Sequence, residues 1–326
     1  MQAKSGIRVL ATLVFCGMTL VMPEKTSAQS GGIPAWLAPH VGLGEGQIAP
    51  IVLERARALY QRKLRQGAVR NPCYFAKDAT RPSTARGGVP GKRFFVICEQ
   101  SQTFRAVSSG YGNGRNLPKA NFANGRECAR NFSNAEGSNL TMGGNYLTAE
   151  SRTSFKGYYS NGGRAEAFYR TFLLFDGEGE TRNARARAIG GHEARFLRWQ
   201  CRMQKPQSPH ADEKGYVPFG RLVNYTGGRS NGCTTWSPTE AQTVLPLVEG
   251  NPTTLYIYPE SRDIKAVARA IDRGRSVSES GLYWNASCLQ EIGKPQFWPK
   301  RSLQPVINSW RQSLPQRPPT ELPICD

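Results

Sequence analysis

The chain has 326 residues, 39% of them apolar and 10% aromatic, and carries a formal charge of +19 from 43 Lys and Arg against 24 Asp and Glu. That is apolar material for one large domain, with or without appendages, and it excludes a disordered polyelectrolyte. The charge calls for an anionic partner.

The opening residues place Lys4 and Arg8 ahead of an apolar run from Val9 to Met22, followed by Thr26, Ser27 and Ala28. This is the pattern of a secretory signal peptide over 1–28, and the run is shorter than the roughly 20 residues that span a bilayer. Cleavage would remove Lys4, Arg8, Lys25 and Glu24 and leave a charge of +17. No later segment reads as transmembrane, so the processed chain is expected in the periplasm or outside the cell. Export removes nucleic acid as a partner and leaves an acidic envelope polymer or membrane surface.

Residues 29–91 read as a helical lead-in. It is Gly- and Pro-rich to residue 47, then has Val52, Ala56, Leu59, Tyr60 and Leu64 at helical spacing over 48–66. From Lys92 to residue 262 the character is β. The runs R-F-F-V-I-C-E and T-F-R-A-V-S-S predict a hairpin, and further strand-like runs follow near Tyr146, near Leu173, in A-R-A-I-G-G before His192, and near Tyr256. Ser237-Pro238 predicts a short capped helix to Glu249, and Ile264, Val267, Ala268 and Ile271 predict another over 260–273. Residues 263–326 are thus expected to hold the end of that helix and a Pro-rich, irregular tail tethered by disulfide through Cys288 and Cys325.

Beyond the leader there are seven cysteines: Cys73, Cys98, Cys128, Cys201, Cys233, Cys288 and Cys325. In an oxidising compartment thiols pair, so an odd number leaves at least one free or cross-linked to another chain. Three bridges among six allow 15 connectivities, and spacing does not choose among them.

Gly227 to Cys233, G-G-R-S-N-G-C, sets a thiol at a tight turn before the Ser237 helix. Backbone N–H groups and the helix dipole there would lower its pKa, and the N–H groups of Gly232 and Cys233 could hold an oxyanion. The same turn could instead be one end of a disulfide. A nucleophilic cysteine needs a base. His192 closes a strand-like run, whereas His40 lies in the lead-in and His210 in a polar loop, so His192 is the first candidate. No metal-ligand spacing occurs, and G-Y-G-N-G-R-N at Gly110 lacks the Lys-Ser/Thr of a phosphate loop, so no metal or cofactor is expected.

Arg229 to Cys233 resembles the S-x-G-C signature of the L,D-transpeptidase (YkuD-type) catalytic domain, and Gly228 to Cys233 the G-R-S-x-G-C of its murein L,D-transpeptidase variant family. K-R-F-F-V-I-C at Lys92, F-S-N-A-E-G-S-N-L-T-M-G-G at Phe132, N-A-R-A-R-A-I-G-G-H-E-A at Asn183 and T-T-L-Y-I-Y-P at Thr253 resemble its other segments in the same order, covering Lys92 to Pro259. The resemblance implies a mainly β fold, a β-sandwich or mixed sheet with a short helix after the catalytic cysteine. It implies Cys233 as nucleophile and His192 as base, with Ser230, Asn231 and Gly232 shaping the turn and oxyanion site.

The implied activity is acyl transfer at the L,D bond of peptidoglycan stem peptides, with an amine, a protein or water as acceptor; water would make the enzyme a carboxypeptidase or amidase-type hydrolase. Three departures stand out. Glu193 follows the histidine where the family has Gly, so its carboxylate could orient the imidazole. A long insertion, tethered through Cys201, separates His192 from Cys233 and makes His210 an alternative base. Thr234, Thr235 and Trp236 lack the usual Arg, leaving Arg229 to bind a substrate carboxylate. The alternative reading is a non-catalytic, peptidoglycan- or envelope-binding domain with Cys233 in a disulfide.

Overall fold

The structure, a computed structural model, describes residues 32–225, 229–315 and 320–326; the leader expected at 1–28 lies outside the described residues. Pro50 at the first turn starts α1 (Pro50–Arg65), where the missing N–H of proline costs nothing. Its buried stripe of Val52, Leu53, Ala56, Leu59 and Tyr60 covers one face of a ten-stranded mixed sheet.

The segment before Lys92 also supplies a strand, β1 (Cys73–Asp78), whose six residues are all buried. It lies between β2 (Lys92–Cys98) and β10 (Thr254–Tyr258), antiparallel to the first and parallel to the second. Burial on both faces explains the unbroken apolar runs: Tyr74, Ala76, Phe95 and Ile97 face α1, while Phe75, Phe94 and Val96 face the opposite core. The expected hairpin is present, β2 pairing with β3 (Thr103–Ser108).

The runs near Tyr146 and Leu173 belong to one long hairpin, β4 (Gly144–Asn161) and β5 (Arg164–Gly177). Gly162 and Gly163 make its turn, both at positive φ, as a two-residue turn matching strand twist requires. The run A-R-A-I-G-G is not a strand throughout. The chain turns from Thr181 to Ala188, with Ala188 at φ 51°, and only Gly190–Glu193 forms β6.

The insertion between His192 and Cys233 is an antiparallel ribbon, β7 (Arg195–Gln204) and β8 (Tyr216–Asn224), with β8 also pairing with β4. β9 (Thr234–Trp236) follows and pairs in parallel with β6. The path runs β9-β6-β5-β4-β10-β1-β2-β3, and the sheet curls until its ends meet: Gly110, just past β3, donates its N–H to Thr235 O of β9 at 2.9 Å. Of the arrangements expected, the mixed sheet is the one formed.

α2 (Pro238–Val244) begins with the expected cap, a capping box of Ser237 and Glu240, and α3 (Ser261–Asp272) packs Ile264 and Val267 into the core. The tail departs from the irregular appendage expected. It contains α4 (Ala286–Ile292), capped by Asn285, and α5 (Lys300–Ser313), whose Leu303 and Ile307 pack with Leu117, Phe122, Ala135 and Leu140. Its tethers are Cys128–Cys288 and Cys201–Cys325, and Cys73–Cys98 staples neighbouring strands. Among the described residues no helix is long and apolar enough to cross a membrane.

Candidate functional site

Cys233 is the one free cysteine among the described residues. It enters β9 from a turn held by Ser230, whose hydroxyl donates to Cys233 O at 2.6 Å and accepts from Gly232 N–H at 3.2 Å. Gly232 has φ 104°, and a Cβ there would meet Leu140 O at 3.0 Å and Ile189 Cδ1 at 3.1 Å, so glycine is required. The Gly232 N–H is therefore engaged within the turn, which removes it from the pair of oxyanion donors expected. Asn231 is exposed and accepts from Asn139 Nδ2 at 3.2 Å. Arg229 pairs through its backbone with Tyr111, and its side chain lies outside what is described.

The parallel pairing of β6 and β9 brings imidazole and thiol together across 41 positions of sequence. Gly191 lies opposite Thr234 and His192 opposite Thr235, so Cys233 aligns with Gly190, and Cys233 and His192 share a face. Gly190 leaves room for the Phe172 ring, which stacks on the imidazole at 5.5 Å. The opposite face at Gly191 is filled by Trp236.

His192 is 5% exposed, and its Nδ1 is 2.7 Å from the Glu193 carbonyl, with the Tyr225 hydroxyl at 3.5 Å. A carbonyl can only accept, so Nδ1 carries the proton and the Nε2 lone pair is left free. Burial, with Arg170 nearby, pushes the imidazole down to about 4. It is neutral at physiological pH and able to take a proton.

The Glu193 backbone, not its carboxylate, thus orients the ring. Its side chain alternates to the other face, where it lines a groove of about 450 Å³ with Tyr169, Thr171, Pro238 and Ala241. His210 is exposed, stacks on Phe155 at 4.1 Å and contacts the Tyr169 hydroxyl at 3.0 Å. Tyr169 and Phe172 are three residues apart on β5 and leave opposite faces, so His210 does not share the Phe172 side with His192.

The thiol is 7% exposed and burial pushes its pKa up, opposed by the Gly190 N–H and by Arg170, Lys77 and Arg187. Helix-dipole activation, expected from the sequence, does not operate. The three residues of β9 and Ser237 separate Cys233 from α2, and the dipole effect is confined to the first turn. Its Sγ also approaches the Ala188 carbonyl at 3.5 Å. Tyr225, Phe172, Arg170, Arg187 and Lys77 belong to the site and carry no local signal in the sequence. Among the described residues no group of three or more His, Cys, Asp or Glu could hold a metal ion.

No protein-family model, curated protein or solved structure matches the chain.

Proposed function

We propose that the protein is a cysteine acyltransferase of the L,D-transpeptidase type, with that family's catalytic fold, acting on peptidoglycan stem peptides in the cell envelope. The observation that carries this reading is Cys233, unbridged while three disulfides pair the other six cysteines beyond the leader, on one face with His192 on the adjoining parallel strand. The rival envelope-binding domain requires a bridged Cys233. Three disulfides fit an oxidising compartment, and the positive charge fits substrates that bear carboxylates.

In this reading His192 Nε2 takes the Cys233 thiol proton, and the thiolate attacks the carbonyl of the L-centre of meso-diaminopimelate. The tetrahedral intermediate collapses to a thioester as the C–N bond breaks, and D-alanine leaves with the proton from His192. An amine of a second stem, a protein amine or water then opens the thioester and regenerates the thiol.

The test is incubation of the oxidised protein with purified tetrapeptide stems, followed by intact-mass and peptide mapping. Release of D-alanine with a thioester adduct on Cys233, both lost in Cys233→Ala, is the expected result. A wild type that neither releases D-alanine nor forms the adduct overturns the proposal.

A further inference from the structure

Among the described residues Lys77 is the one lysine with no exposed surface, and it sits next to the end of β1, facing the core with Phe75 and Phe94. A buried ammonium in such a place costs several kcal/mol unless charge compensates it. Its hydrogen-bond acceptors are both uncharged: the Gly110 carbonyl and Thr234 Oγ1, the latter at 3.1 Å. The nearest-neighbour carboxylate in sequence, Asp78, is committed elsewhere, to Arg81, Thr80 and Tyr283. A second buried cation, Arg93 of β2, adds to the problem, for its guanidinium nitrogens have no hydrogen-bond partner and it stacks on Tyr111.

The site holds one group that could supply the missing negative charge. Thr234, which Lys77 grips, is the residue after Cys233, and curling of the sheet brings β1 beneath β9. The charges acting on Lys77 are Arg93, which disfavours the ammonium, and Cys233, which favours it. Those acting on Cys233 are Arg170 of β5, Lys77 of β1 and Arg187 of the turn before β6, together with the Gly190 N–H; Tyr225 also senses the thiolate. His192 is neutral and cannot be the counter-ion. Arg170 is partly exposed and screened by water, and Arg187, like Lys77 a buried cation bonded to an uncharged acceptor, Leu140 O at 2.6 Å, acts on Cys233 beside it.

We propose that Lys77 is a positioning residue for the nucleophile: its ammonium, anchored on Thr234 and Gly110 under the strand, is a fixed counter-charge of the Cys233 thiolate. This rests on Cys233 being the nucleophile. Because the imidazole does not hold a standing positive charge, the thiolate that attacks substrate is stabilised from the protein interior, on the side away from His192, and the histidine stays free to shuttle the proton. Burial leaves Lys77 itself near pH 7, so the thiolate and the ammonium favour one another in the neutral range.

The experiment is alkylation of Cys233 by iodoacetamide, which forms a C–S bond and expels iodide, measured by peptide mapping against pH in full-length oxidised wild type and Lys77→Met. The variant is expected to melt cooperatively and to titrate Cys233 about one pH unit higher, with alkylation at pH 7 slowed about tenfold and the high-pH plateau unchanged. A merely structural lysine would lower the melting temperature and leave the titration midpoint in place; an unmoved midpoint overturns the inference. Should Lys77→Met not fold, Lys77→Gln serves the same comparison. If wild-type Cys233 resists alkylation at every pH, the nucleophile reading falls and takes this one with it. A shifted midpoint in a protein that leaves tetrapeptide stems intact would uphold Lys77 while overturning the substrate.

Discussion

At the scale of single residues the site depends on a glycine and a serine more than on the chemistry they flank. Ser230 satisfies the Gly232 N–H and the Cys233 carbonyl with one hydroxyl, and Gly232 takes a backbone conformation that L side chains rarely adopt. Gly232→Ala would impose strain of about 1–3 kcal/mol and push against Leu140 O. A shift of the thiol by a fraction of an ångström follows, and such misplacement costs on the order of tenfold to a hundredfold in rate. In the proposed reaction D-alanine release should fall by that much while thermal unfolding stays cooperative; unchanged release would show that the turn tolerates the side chain. Phe172 and Gly190 form a second such pair, the ring occupying the space glycine leaves and stacking on His192.

At the scale of elements, the ribbon β7–β8 is what most distinguishes the surroundings of the site. It begins directly after the histidine strand and ends at Tyr225, whose hydroxyl faces His192 and whose ring touches Phe196. Its outer end is tied to the chain terminus by Cys201–Cys325 and by backbone bonds, Arg202 N–H to Pro323 O at 2.7 Å and Cys325 N–H to Arg202 O at 2.9 Å. The double change Cys201→Ser with Cys325→Ser should cost about 2–4 kcal/mol of stability by relaxing the unfolded chain. It should also raise hydrogen exchange in β7 and β8 while leaving β1 and β2 protected, because Cys73–Cys98 is untouched. Exchange that rises uniformly would mean the tether stabilises the whole sheet and not the ribbon.

At the scale of the molecule, burial of Cys233 and His192 links the site to overall stability. His192 titrates near 6.5 when unfolded and is pushed down to about 4 when folded. Above 6.5 both states are neutral and this contribution is complete; between 6.5 and 4 only the unfolded chain takes up the proton, so stability is lost as pH falls through that window. The loss amounts to about 3 kcal/mol from this one group. Urea unfolding of wild type and His192→Gln at pH 7 and pH 4 measures it: the wild type should lose more than the variant by roughly that amount. Equal losses would place His192 in contact with solvent.

What the sequence determines here is whatever rests on near neighbours in the chain. The apolar stripe of α1, the β2–β3 hairpin, the Ser237 cap and α3 all come from periodicity and capping, which act within about four residues. The Asn285 cap of α4 is an equally local signal, but Pro295 and Pro299 beyond the helix, and Pro305 inside α5, mask the helical tail. The odd cysteine count likewise required one thiol to stand apart, without saying which. Only the tertiary structure decided that it is Cys233, that the Glu193 backbone and not its carboxylate holds the imidazole, and that Lys77 reaches Thr234, the residue beside that thiol. Each of these depends on strand pairing and on burial, and burial is set by contacts between residues far apart in the chain. A curled sheet that joins β3 to β9 makes neighbours of positions 77 and 234, and no local pattern encodes that closure.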